Sequence, residues 1–331
     1  MKFKIIIKII FPILFMTLIS LAIYNYYFSK VTISIVGDIL LSRNVKKVLE
    51  EYGKQYPYEK LQDILLEDDI SIGNLECTLT KSSNHALKEN HFILKADPDN
   101  AIYLKQAGFD VVSLANNHTM DYLPKGLQDT VTALDDAKLA YVGVKGNFKS
   151  EVKPYIIRKN GIKIGILAYN TFPPEGLFFT DEEPRVVSAR LGFIDDMKTQ
   201  VSKAKKKCDF LIIYFHFGSE YHTMVSDEQK EYARSAVDSG ADLVVGSHPH
   251  LLQGMEWYEG IPIYYSLGSF VFDKLNYPET DDAIILQLEV NRKEIKIEEI
   301  PIVINNCQPS LAIGDDKIRI LESISRKSSE I

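Results

Sequence analysis

Residues 241–250 read ADLVVGSHPH. The first six, ADLVVG, are mostly apolar and end in glycine, which predicts a short buried strand. The four that follow set two histidines one residue apart across a proline. Pro249 removes a backbone donor and stiffens the link, so His248 and His250 can be held near one point at the end of that strand. In α/β sheets, ligands gather outside the carboxyl ends of the strands, and a strand that ends in two imidazoles suggests such a place.

The rest of the chain repeats this arrangement. Asp38 follows the β-branched run VTISIV (31–36), and Glu76 follows a short strand at 69–73. Asn116, Asn117 and His118 follow DVVSLA (110–115), and His216 comes directly after CDFLIIYF (208–215). Helical patterns lie between these strands at 42–52, 100–108, 124–137, 193–207 and 226–240, the last with Ser226 as N-cap and Gln229 three residues on. A hairpin is expected over 153–170, turning at Asn160-Gly161. The final third is mostly strand, at 261–273, 283–290 and 294–304, before a polar tail at 306–331 with room for one last helix. Alternating strands and helices imply parallel pairing, and a closing run of strands implies antiparallel pairing. The expected fold is therefore a layered α/β sandwich with mixed sheets. The irregular stretch 172–190 is the kind of long loop that shapes a binding site or is a plain insertion.

Five strand ends thus deliver two carboxylates, a carboxamide and four of the chain's seven histidines toward one edge. Singly, each has a blander reading. Asp38 is an ordinary helix-capping residue, NNH is ordinary turn chemistry, and His216 is an ordinary core histidine. Together they form an N/O donor set that suits zinc, iron or manganese.

Composition narrows the function classes. The 331 residues are 46% hydrophobic, ample for a large core. Residues 9–28 carry no charge and match one bilayer core in length as a helix. Lys2, Lys4 and Lys8 precede the run and Lys30 follows it, which places the N-terminus in the cytoplasm and exports the remainder. A cleaved signal peptide, with Ser20-Leu21-Ala22 near the cleavage site, is the alternative. Residues 1–30 are thus read as a cytoplasmic stub and anchor, 31–305 as the main domain and 306–331 as the tail. Taking away the first 30 residues removes four lysines and no acid, leaving 34 basic and 45 acidic residues, a net charge of −11. That balance argues against nucleic acid as a partner. Cys77, Cys208 and Cys307 are far apart and fit no metal spacing. Serine-hydrolase, P-loop and dinucleotide-binding signatures are missing.

The segments GDILLSR (37–43), NLE (74–76), NNHTMDY (116–122), HFGSEY (216–221), GSHPHLLQG (246–254) and YSLGSFVFD (265–273) appear in that order. On them, the chain from about 32 to 304 resembles the poly-γ-glutamate capsule synthesis (CapA-type) proteins. That family is similar to the calcineurin-like metallophosphoesterases. The resemblance implies a four-layer α/β/β/α sandwich with a two-metal site. It implies Asp38, Glu76, Asn117, His216, His248 and His250 as metal ligands, and His118, with Asp38, as the catalytic pair, His118 protonating a leaving group. Arg43, Asn116 and Glu220 are expected to contact substrate. Position 40 is leucine where the phosphoesterases carry an imidazole, so one tight divalent ion and a weak or absent second are expected. The implied role is a single-pass membrane protein with an extracellular domain. It would make, export or attach an anionic polymer alongside other membrane-bound capsule-synthesis subunits. A metal-dependent phosphoesterase of the cell envelope and a binding module with a vestigial metal site are the alternatives.

Overall fold

The computed structural model describes residues 16–17, 29–147, 149–172, 182–189 and 192–331. The apolar run 9–28, apart from Met16 and Thr17, lies outside the described residues, as do 173–181 and 190 of the irregular stretch. Among the described residues no helix is long and apolar enough to cross a membrane.

The strands are β1 (Val31–Ile39), β2 (Ile70–Leu75), β3 (Val111–Ser113), β4 (Ala140–Val142), β5 (Tyr155–Lys159), β6 (Ile162–Asn170), β7 (Phe210–His216), β8 (Leu243–Ser247), β9 (Met255–Tyr258), β10 (Ile261–Tyr264), β11 (Ser269–Val271), β12 (Asp282–Val290), β13 (Ile295–Asn305) and β14 (Gln308–Leu311). The helices are α1 (Arg43–Tyr52), α2 (Gln62–Glu67), α3 (Asn100–Gln106), α4 (Leu123–Asp136), α5 (Ile194–Lys205), α6 (Asp227–Asp238) and α7 (Gly314–Ser328). Four two-residue strands add two small ribbons, Thr78–Leu79 with Lys95–Ala96 and Val144–Lys145 with Arg185–Val186.

The first sheet runs β14-β13-β12-β1-β2-β3-β4, with β11 pairing the far end of β1. From β1 to β4 it is parallel, and from β12 to β14 antiparallel. The second sheet runs β9-β10-β8-β7-β6-β5, parallel from β10 to β6 with an antiparallel strand at each edge. Both sheets are therefore mixed, as the two halves of the sequence pattern require.

Side-chain alternation along each strand builds the layers. Ile212 and Tyr214 of β7 join Ile33, Ile35, Ile72 and Val111 of the first sheet in a core between the sheets. Leu211, Ile213 and Phe215 of β7 point the other way, onto Met197 and Val201 of α5 and Tyr232 and Ala236 of α6. The outer face of the first sheet packs on α1, α2, α3 and α4 through Val45, Leu49, Leu65, Leu104, Leu127 and Leu134. The result is an α/β/β/α sandwich. Burying each such aliphatic side chain contributes about 1.5–3 kcal/mol.

Two local predictions hold in detail. Asn160 and Gly161 both take positive φ (48° and 79°) in the two-residue turn between β5 and β6. Ser226 and Gln229 form a reciprocal capping box at α6. The polar stretch after 305 is part of the folded unit. β14 pairs with β13, and α7 sends Ile320 and Ile324 into the core between the sheets. Its periodicity was masked by charges on the exposed face, among them Asp315, Asp316 and Lys317.

Candidate metal centre

The carboxyl ends of β1, β2 and β3 meet those of β7 and β8 across the sandwich. The Tyr214 hydroxyl donates to the Val36 carbonyl (2.8 Å), and the His248 N–H donates to Asp38 Oδ2 (3.1 Å). The closeness depends on glycine. A Cβ at Gly37 would lie 1.8 Å from the Gly268 carbonyl oxygen, and one at Gly246 2.2 Å from that of Tyr265.

Asp38 sits where the register of β1 shifts against both β2 and β11, which turns its carboxylate into the space between the sheets' ends. Oδ1 accepts from Asn74 Nδ2 (2.8 Å), and Oδ2 lies 3.2 Å from His250 Nδ1. Burial opposes its charge, but the His250 hydrogen bond, the nearby His216 and His250 rings and the Asn74 amide outweigh burial and hold the carboxyl well below the usual range.

Glu76 behaves in the opposite way. It is fully buried, and burial, the Asp38 charge and the Glu220 charge push its carboxyl well above the usual range, with Arg43 opposing. Its Oε1 is 3.8 Å from His250 Nε2 and 3.9 Å from the Nε2 atoms of both His118 and His216. Its Oε2 has no hydrogen-bond partner among the described residues. A buried carboxylate oxygen without a donor is costly, and a cation would satisfy it.

His216 Nε2 has the same character. It faces Asn117 Oδ1 at 2.9 Å, His248 Nδ1 at 3.1 Å and Glu76 Oε1 at 3.9 Å. One imidazole proton cannot serve three acceptors, whereas one metal ion can take lone pairs from all four groups. Burial pushes His216 down to about 3 and His248 well below its usual value, so both rings are neutral and ready to ligate at neutral pH. His248 and His250 both take positive φ (100° and 55°) on either side of Pro249. This conformation is strained for non-glycine residues, and it turns both rings toward the site. Atoms of Glu76, His216 and His248 lie within 4.8 Å of one another, as do those of Asp38, Glu76 and His250 and those of Glu220, His248 and His250. The donor chemistry, the orphaned Oε2 and this clustering fit a divalent metal, with Glu76 common to two of the groups.

His118 stands beside this set. Its Nδ1 lies 2.8 Å from Asp121 Oδ2, a fully buried carboxylate that also receives Lys88 Nζ (2.7 Å) and the Leu94 N–H (2.8 Å). Lys88 Nζ donates to the Asn117 carbonyl as well (3.0 Å), which ties down the loop carrying both Asn117 and His118. Sequence reasoning passed over Asp121, Lys88 and Asn74, whose amide bridges Asp38 and His216. The Asp three residues after His118 in NNHTMD was the one legible signal among them.

The expected substrate contacts separate. Arg43 lies at the mouth, paired with Asp273 (2.6 Å) and stacked over Phe272, whose ring also covers His250. Asn116 is buried and faces the scaffold. Its amide donates to Asn74 and the Leu75 carbonyl and accepts from the His118 N–H and the Thr119 hydroxyl. Glu220 lines the mouth with Arg43, Phe92 and Tyr221. Leu40 packs in the core on the helix side of the first sheet.

The family model described as bacterial capsule synthesis protein PGA_cap matches residues 32–274. A capsule biosynthesis protein CapA from Bacillus anthracis is 34% identical over 310 residues, covering 91% of this chain and 74% of that protein. A PGA biosynthesis protein CapA from Bacillus subtilis (strain 168) is 32% identical over 279 residues, 84% of this chain and 72% of that one. Among solved structures, a putative 5'-nucleotidase from Staphylococcus aureus overlaps 90% of this chain and 58% of its own, at 14% identity and a TM-score of 0.48. A hypothetical protein from Thermus thermophilus overlaps 81% and 99%, at 15% identity and a TM-score of 0.47. The segment matched by the family model contains every residue of the metal centre, from Asp38 to His250, and the chain belongs to the bacterial capsule synthesis protein PGA_cap family.

Proposed function

We propose that this chain works in making, exporting or attaching a poly-γ-glutamate capsule polymer, and that it does so through a divalent-metal centre held by Asp38, Glu76, Asn117, His216, His248 and His250. The capsule role rests on the family and on the names its relatives carry. The metal centre rests on one observation above the others, the Oε2 of a buried Glu76, which has no hydrogen-bond partner among the described residues and is surrounded by imidazoles. Manganese, iron or zinc suits the donors. Such an ion supplies Lewis acidity and a water acidified toward neutral pH.

The chain's own residues supply the rest. Asp121 fixes the ring of His118 by its Nδ1, which leaves Nε2 turned to the site, where it can give a proton to a departing oxygen or nitrogen. Arg43 at the mouth offers a cation to an anionic substrate, while the acidic remainder of the surface repels a polyanion elsewhere. The His118–Asp121 pair favours a second reading, kinship with the metallophosphoesterases and cleavage of a cell-envelope phosphate ester. A membrane anchor at 9–28 with residues 31–331 outside the cell completes the proposal.

Metal analysis of the purified chain, followed by assay on a generic phosphodiester, separates the readings. Bound metal with turnover supports the phosphoesterase, and bound metal without turnover supports a polymer-specific role. A folded protein that takes up no metal overturns both. Polymer lost on deletion and not restored by Glu76→Gln supports the capsule role, and polymer unchanged on deletion overturns it. Protease added to intact, wall-stripped cells should digest the domain, and full protection would place it inside.

A further inference from the structure

We propose that Glu220 is itself a metal ligand, joining His248 and His250 on the open side of the centre, and that it decides whether a second ion binds. The proposal rests on the metal-centre reading above and adds to it a carboxylate that the sequence had marked for substrate.

The inner donors leave a second ion poorly provided for. An ion drawn by Glu76, His216 and His248 has Asn117 beside it as a neutral donor. Asp38 lies with Glu76 and His250 in a second inner group, but its oxygens also accept from the Asn74 amide and the His248 N–H and face the His250 ring, so it has fewer lone pairs to give. His250 turns Nδ1 to Asp38, so its Nε2 is the atom left facing Glu76 and the mouth. On that side Glu220 brings a carboxylate oxygen within 4.8 Å of ligating nitrogens of both His248 and His250.

Two further observations point to a cation there. The carboxyl groups of Asp38, Glu76 and Glu220 converge on the imidazoles of His216, His248 and His250. Among the described residues, no lysine or arginine pairs with Glu220, since Arg43 at the same mouth is bound to Asp273. The turn carrying Glu220 is fixed to the histidine segment, because the Tyr221 N–H donates to the Pro249 carbonyl (2.9 Å) and the Tyr221 ring stacks on Tyr277 (4.6 Å). Glu220 is held over His248 and His250 before any substrate arrives.

The test uses metal alone. The metal-stripped full chain in detergent is titrated with Mn²⁺, and free Mn²⁺ is followed by electron paramagnetic resonance, for wild type and Glu220→Gln. The wild type should bind two ions. The variant should keep the tighter one unchanged and bind the second at least ~10–100-fold more weakly, the loss typical of disturbing a metal site's support and a lower bound for a ligand. Unchanged circular dichroism and unchanged metal-free Tm establish that the variant folds, as expected for a half-exposed side chain. Two ions with unaltered affinities in Glu220→Gln overturn the proposal and return Glu220 to substrate binding, which leaves metal stoichiometry untouched. A single ion in the wild type, retained by the variant, also overturns it. No ion in the folded wild type overturns the metal centre itself, a failure distinct from the other two.

Discussion

Glu76 shows in one residue how the site sets function against stability. A carboxylate without a donor, buried beside Asp38, destabilises the metal-free fold. Glu76→Gln should therefore raise the metal-free Tm by several degrees, corresponding to about 1–3 kcal/mol, while removing the Tm gain that added metal gives the wild type. Calorimetry with and without metal checks both halves. Acid acts through the histidines. The buried His216 and His248 stay neutral when folded but take up protons in the unfolded chain below about 6.5. The unfolded state then holds more protons, so stability is lost as pH falls from about 6.5 toward 3. Glu76 has the opposite sign, because its raised pKa lets the folded state gain a proton first. Urea midpoints at pH 7 and pH 5 should therefore fall more steeply for Glu76→Gln than for wild type. His118→Ala should keep the fold and the metal yet lower any turnover about 10²–10⁴-fold, and an unchanged rate would remove it from the mechanism. The liganding types were legible because histidines, carboxylates and a carboxamide at strand ends are conspicuous. Asn74 and Lys88 were not, and Asp121 showed only by its place three residues after His118, since they act on other side chains and only the folded chain shows whom they touch.

At the scale of elements, the strand ends bring the donors together, and the glycines let them approach. The prediction that Asp38, Glu76, Asn117, His118, His216, His248 and His250 emerge at carboxyl ends needed only the period-two and helical patterns. The register shifts around Asp38 were invisible, because a bulge depends on both neighbouring strands and leaves no mark in either alone. So was the contact of Gly37 with β11, formed across more than 230 residues of chain. It carries a prediction. A methyl group on Gly37 cannot fit against the Gly268 carbonyl, so Gly37→Ala must separate β1 from β11. It should cost about 1–3 kcal/mol or more in urea unfolding and weaken metal binding through Asp38, which adjoins it. Gly53→Ala is the control for space alone, since its Cβ would meet nothing within 4 Å, although its positive φ still adds some strain. Equal midpoints for the two variants would show that the β1–β11 approach is not needed.

For the whole molecule, the pattern of strands and helices implied a layered α/β sandwich with mixed sheets, and the α/β/β/α order came with the family resemblance, while the docking of α7 came only from tertiary packing. The long axis of β1 adds a consequence for placement. Asp38 lies seven residues beyond Val31 along the strand, at about 3.3 Å each, so Val31 and the metal centre lie roughly 23 Å apart at opposite ends of the sandwich. Lys30 is fixed at the lower end, where its carbonyl accepts from Asn160 and its ammonium pairs with Glu289. Only Ser29 separates it from the apolar run that ends at residue 28. If that run is an anchor, so short a tether keeps the lower end against the bilayer and turns the metal centre away from it, toward a polymer in the wall rather than a lipid in the membrane. The full chain in vesicles containing nitroxide lipids tests this, with the three native cysteines replaced and one fluorophore attached at a time. A probe at position 294, on the turn beside the start of β1, should be strongly quenched. One at position 222, beside the mouth, should be quenched several-fold less. Equal quenching at both positions would mean that the centre lies against the membrane, and a lipid-linked substrate would become the better reading of the site.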